Sequence, residues 1–85
     1  MFIVIQHQIF NPEKFWGIAK EATSNLPAGF KLHYTLPNGD GTKAVCVWEA
    51  NELDAVKELV DGSVGQFSKN EYFSVEAKNA MGLPK

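Results

Sequence analysis

Side chains suited to covalent or acid–base chemistry are few, because the chain holds one cysteine and two histidines, His7 and His33. Cys46 lies in the stretch AVCVWEA, residues 44–50, two positions before Trp48. An imidazole such as that of His33 beside Cys46 would make the sulfur a better nucleophile. The alternative is a buried cysteine that only packs, since cysteine is among the most buried residue types.

The spacing of these residues does not match an established metal site. The sequence has no His-x-x-x-His or Cys-x-x-Cys pair and no cluster of carboxylates at ligand spacing. We therefore expect no tightly held metal and no cofactor. A site built from His33, Cys46 and a group of a partner subunit stays open as an alternative. His7 shares the apolar face of the first strand and is interpreted as a hydrogen-bonded structural residue.

Other polar groups could orient a ligand. Gln6 and Gln8 offer donors and acceptors suited to a closed, moderately polar pocket, although plain solvent exposure explains them equally well. Glu49 could act as a general base only if it is buried. The stretch PNGDG, residues 37–41, lacks the lysine-serine ending of a phosphate loop and is interpreted as a turn.

The composition narrows the class of protein. The net charge is -2, and the eight basic residues are all lysines. Without arginine, bidentate recognition of phosphate or guanine is absent, so nucleic acid is not an expected partner. No apolar run approaches the ~20 residues that cross a bilayer, and the N-terminus does not resemble a secretory signal. We expect one domain, residues 1–85, that is soluble and cytoplasmic.

The hydrophobic pattern predicts four strands and two helices. The first helix is expected to begin with Asn11 as N-cap and Pro12 at its first position. The second is expected to be capped by Asn51 and to stop at Gly62. The strands are predicted at FIVIQHQI (2–9), GFKLHYTL (29–36), TKAVCVWEA (42–50) and EYFSVEA (71–77).

The resulting order, β-α-β-β-α-β, is typical of the ferredoxin-like α+β fold, a four-stranded antiparallel sheet with both helices on one face. If the hairpin turns symmetrically about Asn38 and Gly39 or the adjacent glycine, one register places His33 opposite Cys46 and Lys31 opposite Trp48. In that register Leu32, Tyr34, Val45 and Val47 point to the helices. The outer face then holds His33, Thr35, Ala44, Cys46 and Trp48, together with Phe2, Val4, Gln6, Gln8, Tyr72, Ser74 and Glu76.

An outer face that contains Phe2, Val4, Trp48 and Tyr72 is too apolar to stay in water and predicts an interface. The element order, the short length and this face resemble the dimeric α/β-barrel superfamily over nearly the whole chain. Locally, CVWEA before a helix is similar to the Cys-x-x-Glu-Ala junction of small nickel-binding and uncharacterised ferredoxin-like proteins. The superfamily includes cofactor-free monooxygenases, lactone isomerases, haem enzymes and ligand-binding domains, so the fold does not select a chemistry.

The resemblance implies a homodimer whose facing sheets enclose a pocket for a small apolar or moderately polar molecule. Cofactor-free chemistry of the monooxygenase or isomerase type is possible there, and Cys46 would be a neutral part of the wall. The alternatives are a nickel-like metal-binding protein and a structural or interaction module without a ligand. The predicted pocket consists of Gln6, Gln8, His33, Cys46, Trp48 and Tyr72.

Overall fold

The computed structural model describes residues 1–83 and confirms the β-α-β-β-α-β order. The four antiparallel strands form one sheet in the order β2-β3-β1-β4, as in the ferredoxin-like fold. Within residues 1–83, no helix is long and apolar enough to span a membrane. The elements are β1 (Phe2–Ile9), α1 (Pro12–Thr23), β2 (Lys31–Pro37), β3 (Lys43–Glu49), α2 (Leu53–Val64) and β4 (Ser68–Ser74).

Helix α1 begins as the sequence predicts. Asn11 is the N-cap, and its side chain accepts a hydrogen bond from the backbone N–H of Lys14 at 3.2 Å. Pro12 occupies the first helical position, where its missing N–H costs nothing, and Glu13 lies in the positively polarised first turn. Phe15, which is 2% exposed, then packs the helix onto the sheet.

Helix α2 differs from its predicted bounds. The N-cap is Glu52, not Asn51, and its side chain makes no capping hydrogen bond. The helix continues through Gly62 to Val64 and ends at Gly65, whose N–H donates to the carbonyl of Asp61. A glycine inside a helix costs about 1 kcal/mol. Val64 is buried one turn after Val60, and the burial of both side chains offsets that cost.

The face assignment of β3 is wrong in the sequence-based register. Ile5 pairs with Cys46, and Ile3 pairs with Trp48, so both β3 side chains point to the helices. Cys46 and Trp48 are 7% and 5% exposed. The helix-facing residues of this segment are all apolar, while the outer set begins and ends with a charge. The two sets are Ala44, Cys46, Trp48 and Ala50 inside, and Lys43, Val45, Val47 and Glu49 outside.

The predicted hairpin register is wrong because β2 contains a β-bulge. The register shifts between Leu32 and Tyr34, so His33 is an extra residue and Thr35, not His33, pairs with Cys46. Leu32 and Thr35 therefore both lie on the helix side. Tyr34, paired with Val47, points outward with Leu36, opposite to the expectation for Tyr34.

Strand β4 begins at Ser68, three residues before its predicted start at residue 71. Tyr72 pairs with Ile5 and thus lies on the helix side, so its predicted place on the outer face is wrong. Phe73 takes the outer position and is 48% exposed.

The β2–β3 turn is anchored to α1 through Trp16. The indole Nε1–H of Trp16 donates to the carbonyl of Gly41 at 3.0 Å. Gly41 has a φ of 74°, and a Cβ there would lie 2.9 Å from Trp16 Nε1. Only glycine meets both conditions without strain.

Candidate functional site

A cavity of about 60 Å³ lies between the sheet and the two helices. Its wall is mostly apolar and includes no lysine, arginine, aspartate or glutamate. Half-buried apolar residues of α1 and α2 complete the wall. Thr35, on the edge strand β2, is the exposed residue of the wall. The sheet contributes His7, Leu32, Thr35, Cys46 and Trp48.

Trp48, a residue of the cavity wall, carries an unpaired polar atom. The indole Nε1–H is buried and has no hydrogen-bond partner among residues 1–83. A buried donor left unpaired costs about 1–3 kcal/mol. The indole of Trp16, which also lines the cavity, is instead satisfied by Gly41. The indole N–H of Trp16 is thus hydrogen-bonded, and that of Trp48 is without a partner among the described residues.

Two other hydroxyl groups of the wall already donate hydrogen bonds within the protein. Thr23 donates to the carbonyl of Ala19 at 2.7 Å, and Ser63 donates to the carbonyl of Leu59 at 2.8 Å. Both bonds lie within their own helices. A buried water needs two to four polar partners, and this wall offers few free ones.

Cys46 and His7 form a buried pair on the floor of the cavity. The sulfur lies 3.2 Å from His7 Nε2, and His7 Nδ1 lies 2.6 Å from Asn70 Oδ1. The amide of Asn70 donates from Nδ2 to Asp61 Oδ1 at 3.1 Å, and Ser68 donates to Asn70 Oδ1 at 2.8 Å. This network assigns the imidazole proton to Nδ1, so the lone pair of Nε2 faces the thiol.

Burial keeps both members of the pair neutral. It raises the pKa of the Cys46 thiol to about 11, against a smaller opposing effect of the contact with Thr35 Oγ1. Burial also lowers the pKa of His7, although the bond to Asn70 and the charge of Asp61 act in the opposite direction. At neutral pH the pair is therefore a thiol and an imidazole, not a thiolate and an imidazolium. Cys46 is thus a neutral part of a cavity wall on the helix side of the sheet, and not of the outer-face pocket that the sequence predicts.

Tyr72 belongs to the same network without lining the cavity. Its hydroxyl donates to Asp61 Oδ1 at 2.5 Å. Burial, followed by the bond to this carboxylate, raises the pKa of Tyr72. Asp61 accepts from both Tyr72 and Asn70 and so fixes the amide that orients His7.

The other predicted site residues lie on the outer face of the sheet. Gln6 and Gln8 are exposed. His33 Nε2 lies 2.8 Å from Glu49 Oε1, and its ring centroid lies 5.5 Å from that of Phe2. The hydrogen bond from His33 lowers the pKa of Glu49, which is 45% exposed. Glu49 is thus a hydrogen-bond partner of His33 that is open to solvent, and not a buried base.

The structure therefore divides the predicted pocket. Cys46 and Trp48 meet in the cavity, Tyr72 lies beside α2, and Gln6, Gln8 and His33 lie across the sheet. His33 and Cys46 are on opposite faces, so they do not form a joint metal site. Among residues 1–83 there is also no group of three or more His, Cys, Asp or Glu side chains that could hold a metal ion.

Comparison with known families assigns the chain to a domain family. A family described as "Domain of unknown function (DUF8652)" matches residues 2–83. The chain belongs to this family. The DUF8652 match spans all six elements of the fold and every residue of the cavity and its hydrogen-bond network. Neither the curated proteins nor the solved structures contain a significant match.

Proposed function

We propose that the chain binds a small, uncharged, mostly apolar molecule in the cavity between the sheet and the helices. The observation that carries this proposal is the unpaired Nε1–H of Trp48, a buried donor in the wall of an apolar cavity. A ligand with one hydrogen-bond acceptor, such as a carbonyl or ether oxygen, would pair with this donor. Small-molecule sites commonly combine apolar walls with a few such polar groups.

The chemistry of the wall supports a neutral ligand. An ionised group would lose its hydration and find no opposite charge, because no lysine, arginine, aspartate or glutamate lines the cavity. The volume of the cavity supports a small ligand. An engineered apolar cavity of about 150 Å³ binds benzene, so about 60 Å³ suits a molecule of fewer heavy atoms. A longer ligand would extend past the exposed Thr35.

Thermal unfolding with a matched ligand series tests the proposal. A ligand that binds only the folded state raises the melting temperature with its concentration. We expect butan-2-one to raise it and butanoate, which has the same carbon chain with a charge, to leave it unchanged. In Trp48→Phe, which removes the donor but keeps an aromatic ring, the effect of butan-2-one should be lost or strongly reduced. An equal shift with both compounds, or an undiminished shift in the variant, would reject the proposal.

A second proposal concerns the outer face of the sheet, where a second copy of the chain would pack as in the dimeric α/β-barrel superfamily. Phe2 and Val4 are half-buried, and Tyr34, Leu36 and Phe73 are 44%, 58% and 48% exposed. This apolar surface lies where neither helix covers it. Both signs of charge surround it, so a two-fold axis can bring opposite charges together. The charged residues are Lys31, Lys43, Lys69, Glu49 and Glu71.

In such a dimer Gln6, Gln8 and His33 would lie between the facing sheets and could orient a further small ligand there. Sedimentation at several micromolar concentrations tests the assembly, and we expect a dimer that dissociates on dilution. A monomer at every concentration would reject it without affecting the cavity proposal. A cytoplasmic location forms part of the same account, since a reduced Cys46 suits a reducing compartment.

A further inference from the structure

We propose that Cys46 is a nucleophile with His7 as its general base, and that the pair adds to a small neutral α,β-unsaturated carbonyl compound bound in the cavity. This inference rests on the proposed function, because the electrophile must enter the same cavity and place its oxygen at Trp48. The unpaired indole of Trp48, 5% exposed, is an observation independent of the cysteine.

The arrangement around Cys46 is that of an activated nucleophile. The thiol lies within hydrogen-bond reach of a base, at 3.2 Å from His7 Nε2, and the base is oriented by a third group, Asn70, at 2.6 Å. Asp61 fixes Asn70 in turn. Because Asn70 Oδ1 takes the proton of Nδ1, Nε2 is left as the acceptor for the thiol proton.

The resting pair is neutral, which decides how the thiol reacts. A free thiolate is scarce in this buried position, so unassisted attack would be slow. Transfer of the proton to His7 during attack removes the need for a preformed thiolate. Thr35, which pairs with Cys46 and is exposed, marks the side from which an electrophile reaches the sulfur.

Cys46 and Trp48 are neighbours on one face of β3 and line the same cavity. Both side chains point to the helix side of β3, and alternate residues of a strand lie about 6.6 Å apart. In the proposed complex the β-carbon of an enone contacts Sγ and its carbonyl oxygen accepts a hydrogen bond from Trp48 Nε1. The indole N–H would stabilise the negative charge that develops on this oxygen.

The addition needs no other reactant. The sulfur forms a bond to the β-carbon while the carbon–carbon π bond breaks, and the electron pair moves to the carbonyl oxygen as an enolate. His7 Nε2 takes the thiol proton and returns it to the α-carbon. The product is a ketone attached to Cys46 through a thioether, His7 is again neutral, and no atom is oxidised by an outside agent.

The rate of adduct formation with methyl vinyl ketone, followed by intact mass and mapped to Cys46, tests the inference. Attack by a free thiolate would accelerate about tenfold per pH unit up to the thiol pKa of about 11. With His7 as base the rate should be nearly constant from pH 7 to pH 9. A tenfold rise per unit in the intact protein would overturn the inference.

Variants give a second readout. His7→Gln should slow the reaction at pH 7 by about 100-fold and restore the steep pH dependence. Asn70→Ala, which keeps His7, should show an intermediate rate, and circular dichroism checks that each variant is folded. Unchanged rates in both folded variants would contradict the inference. If His7→Gln does not fold, the pH profile of the intact protein still decides.

Butan-2-one, which can bind but cannot form the adduct, distinguishes a failure of this inference from a failure of the proposed function. One outcome is that butan-2-one raises the melting temperature while the rate with methyl vinyl ketone rises tenfold per pH unit. That result would support ligand binding and reject the role of His7 as general base for Cys46. If butan-2-one has no effect in the folded protein, the proposed function fails, whatever the profile of the electrophile shows.

Discussion

His7 Nε2 lies 3.2 Å from Cys46 Sγ, which joins a histidine of β1 to the cysteine of β3 on the helix side of the sheet. The two side chains are 6% and 7% exposed. Asn70 and Asp61 continue the chain of hydrogen bonds from His7 toward the surface. They orient the buried imidazole and expose it to the electrostatic effect of the Asp61 carboxylate. Its protonation state therefore affects stability as well as chemistry.

Stability should fall as the pH is lowered from 7.5 to 5.5. The pKa of His7 in the folded chain lies below its ordinary value of 6.5, so below pH 6.5 the unfolded chain binds a proton that the folded chain does not. The free energy of unfolding should then decrease by up to about 1.4 kcal/mol per pH unit until the folded pKa is reached. Urea unfolding at each pH measures this. His7→Gln should remove this contribution and the control His33→Gln should retain it; the same slope in all three proteins would contradict the assignment.

Gly41→Ala should destabilise the fold. Alanine at a φ of 74° is strained, and its Cβ would displace the indole of Trp16 from its bond to the Gly41 carbonyl. We expect a loss of about 1–3 kcal/mol in the free energy of unfolding. Gly39→Ala is the matched control, because Gly39 has no atom within 4 Å of a built Cβ. Equal effects of the two substitutions would show that the contact with Trp16 is not important.

Substitutions of Trp48 should separate its packing from its donor. Trp48→Ala should cost about 3–5 kcal/mol, because it leaves a cavity beneath the helices. Trp48→Phe should cost much less, since it loses part of the ring but also removes an unpaired buried N–H. Urea unfolding compares the two. A similar cost for both would mean that the indole N–H is satisfied in the folded protein.

A charge on the outer face should weaken the proposed dimer. Val4 lies there, paired with Val47 and Phe73. Val4→Lys would place an ammonium group in the apolar part of the interface, where it has to lose its hydration. We expect sedimentation to show that the dissociation constant of the dimer rises tenfold or more. Glu58→Lys, on the exposed side of α2, should leave association unchanged. A dimer insensitive to Val4→Lys would use another surface.

Local signals in the sequence were sufficient for β1 and for the start of α1. In β1 the isoleucines alternate with glutamines, and in α1 Asn11 and Pro12 define the first turn. The faces of β3 were predicted wrongly, because Val45 and Val47 are as apolar as Cys46 and Trp48. The usable signal was the charge at each end of the outer set, Lys43 and Glu49, which belongs in solvent.

The candidate site depends on relations that local patterns do not carry. His7 and Asn70 lie 63 positions apart and meet only because β1 pairs with β4. After the bulge at His33, Tyr34 and Thr35 take the faces opposite to those that simple alternation assigns to them. Asn70 was missed because β4 was placed too late. In β4 the charged Lys69 and Glu71 alternate with uncharged residues, and this alternation would have indicated that Asn70 points inward.

The central claim is that the free indole donor of Trp48 binds a neutral acceptor, and the two tryptophans provide an internal comparison. Their indole N–H resonances can be assigned with Trp16→Phe and Trp48→Phe and followed by NMR during titration with butan-2-one. A saturable downfield shift of the Trp48 N–H proton is predicted, with little change for Trp16, whose N–H is bonded to Gly41. A Trp48 resonance that stays fixed while the folded protein is titrated, or one that moves no more than that of Trp16, would contradict the account.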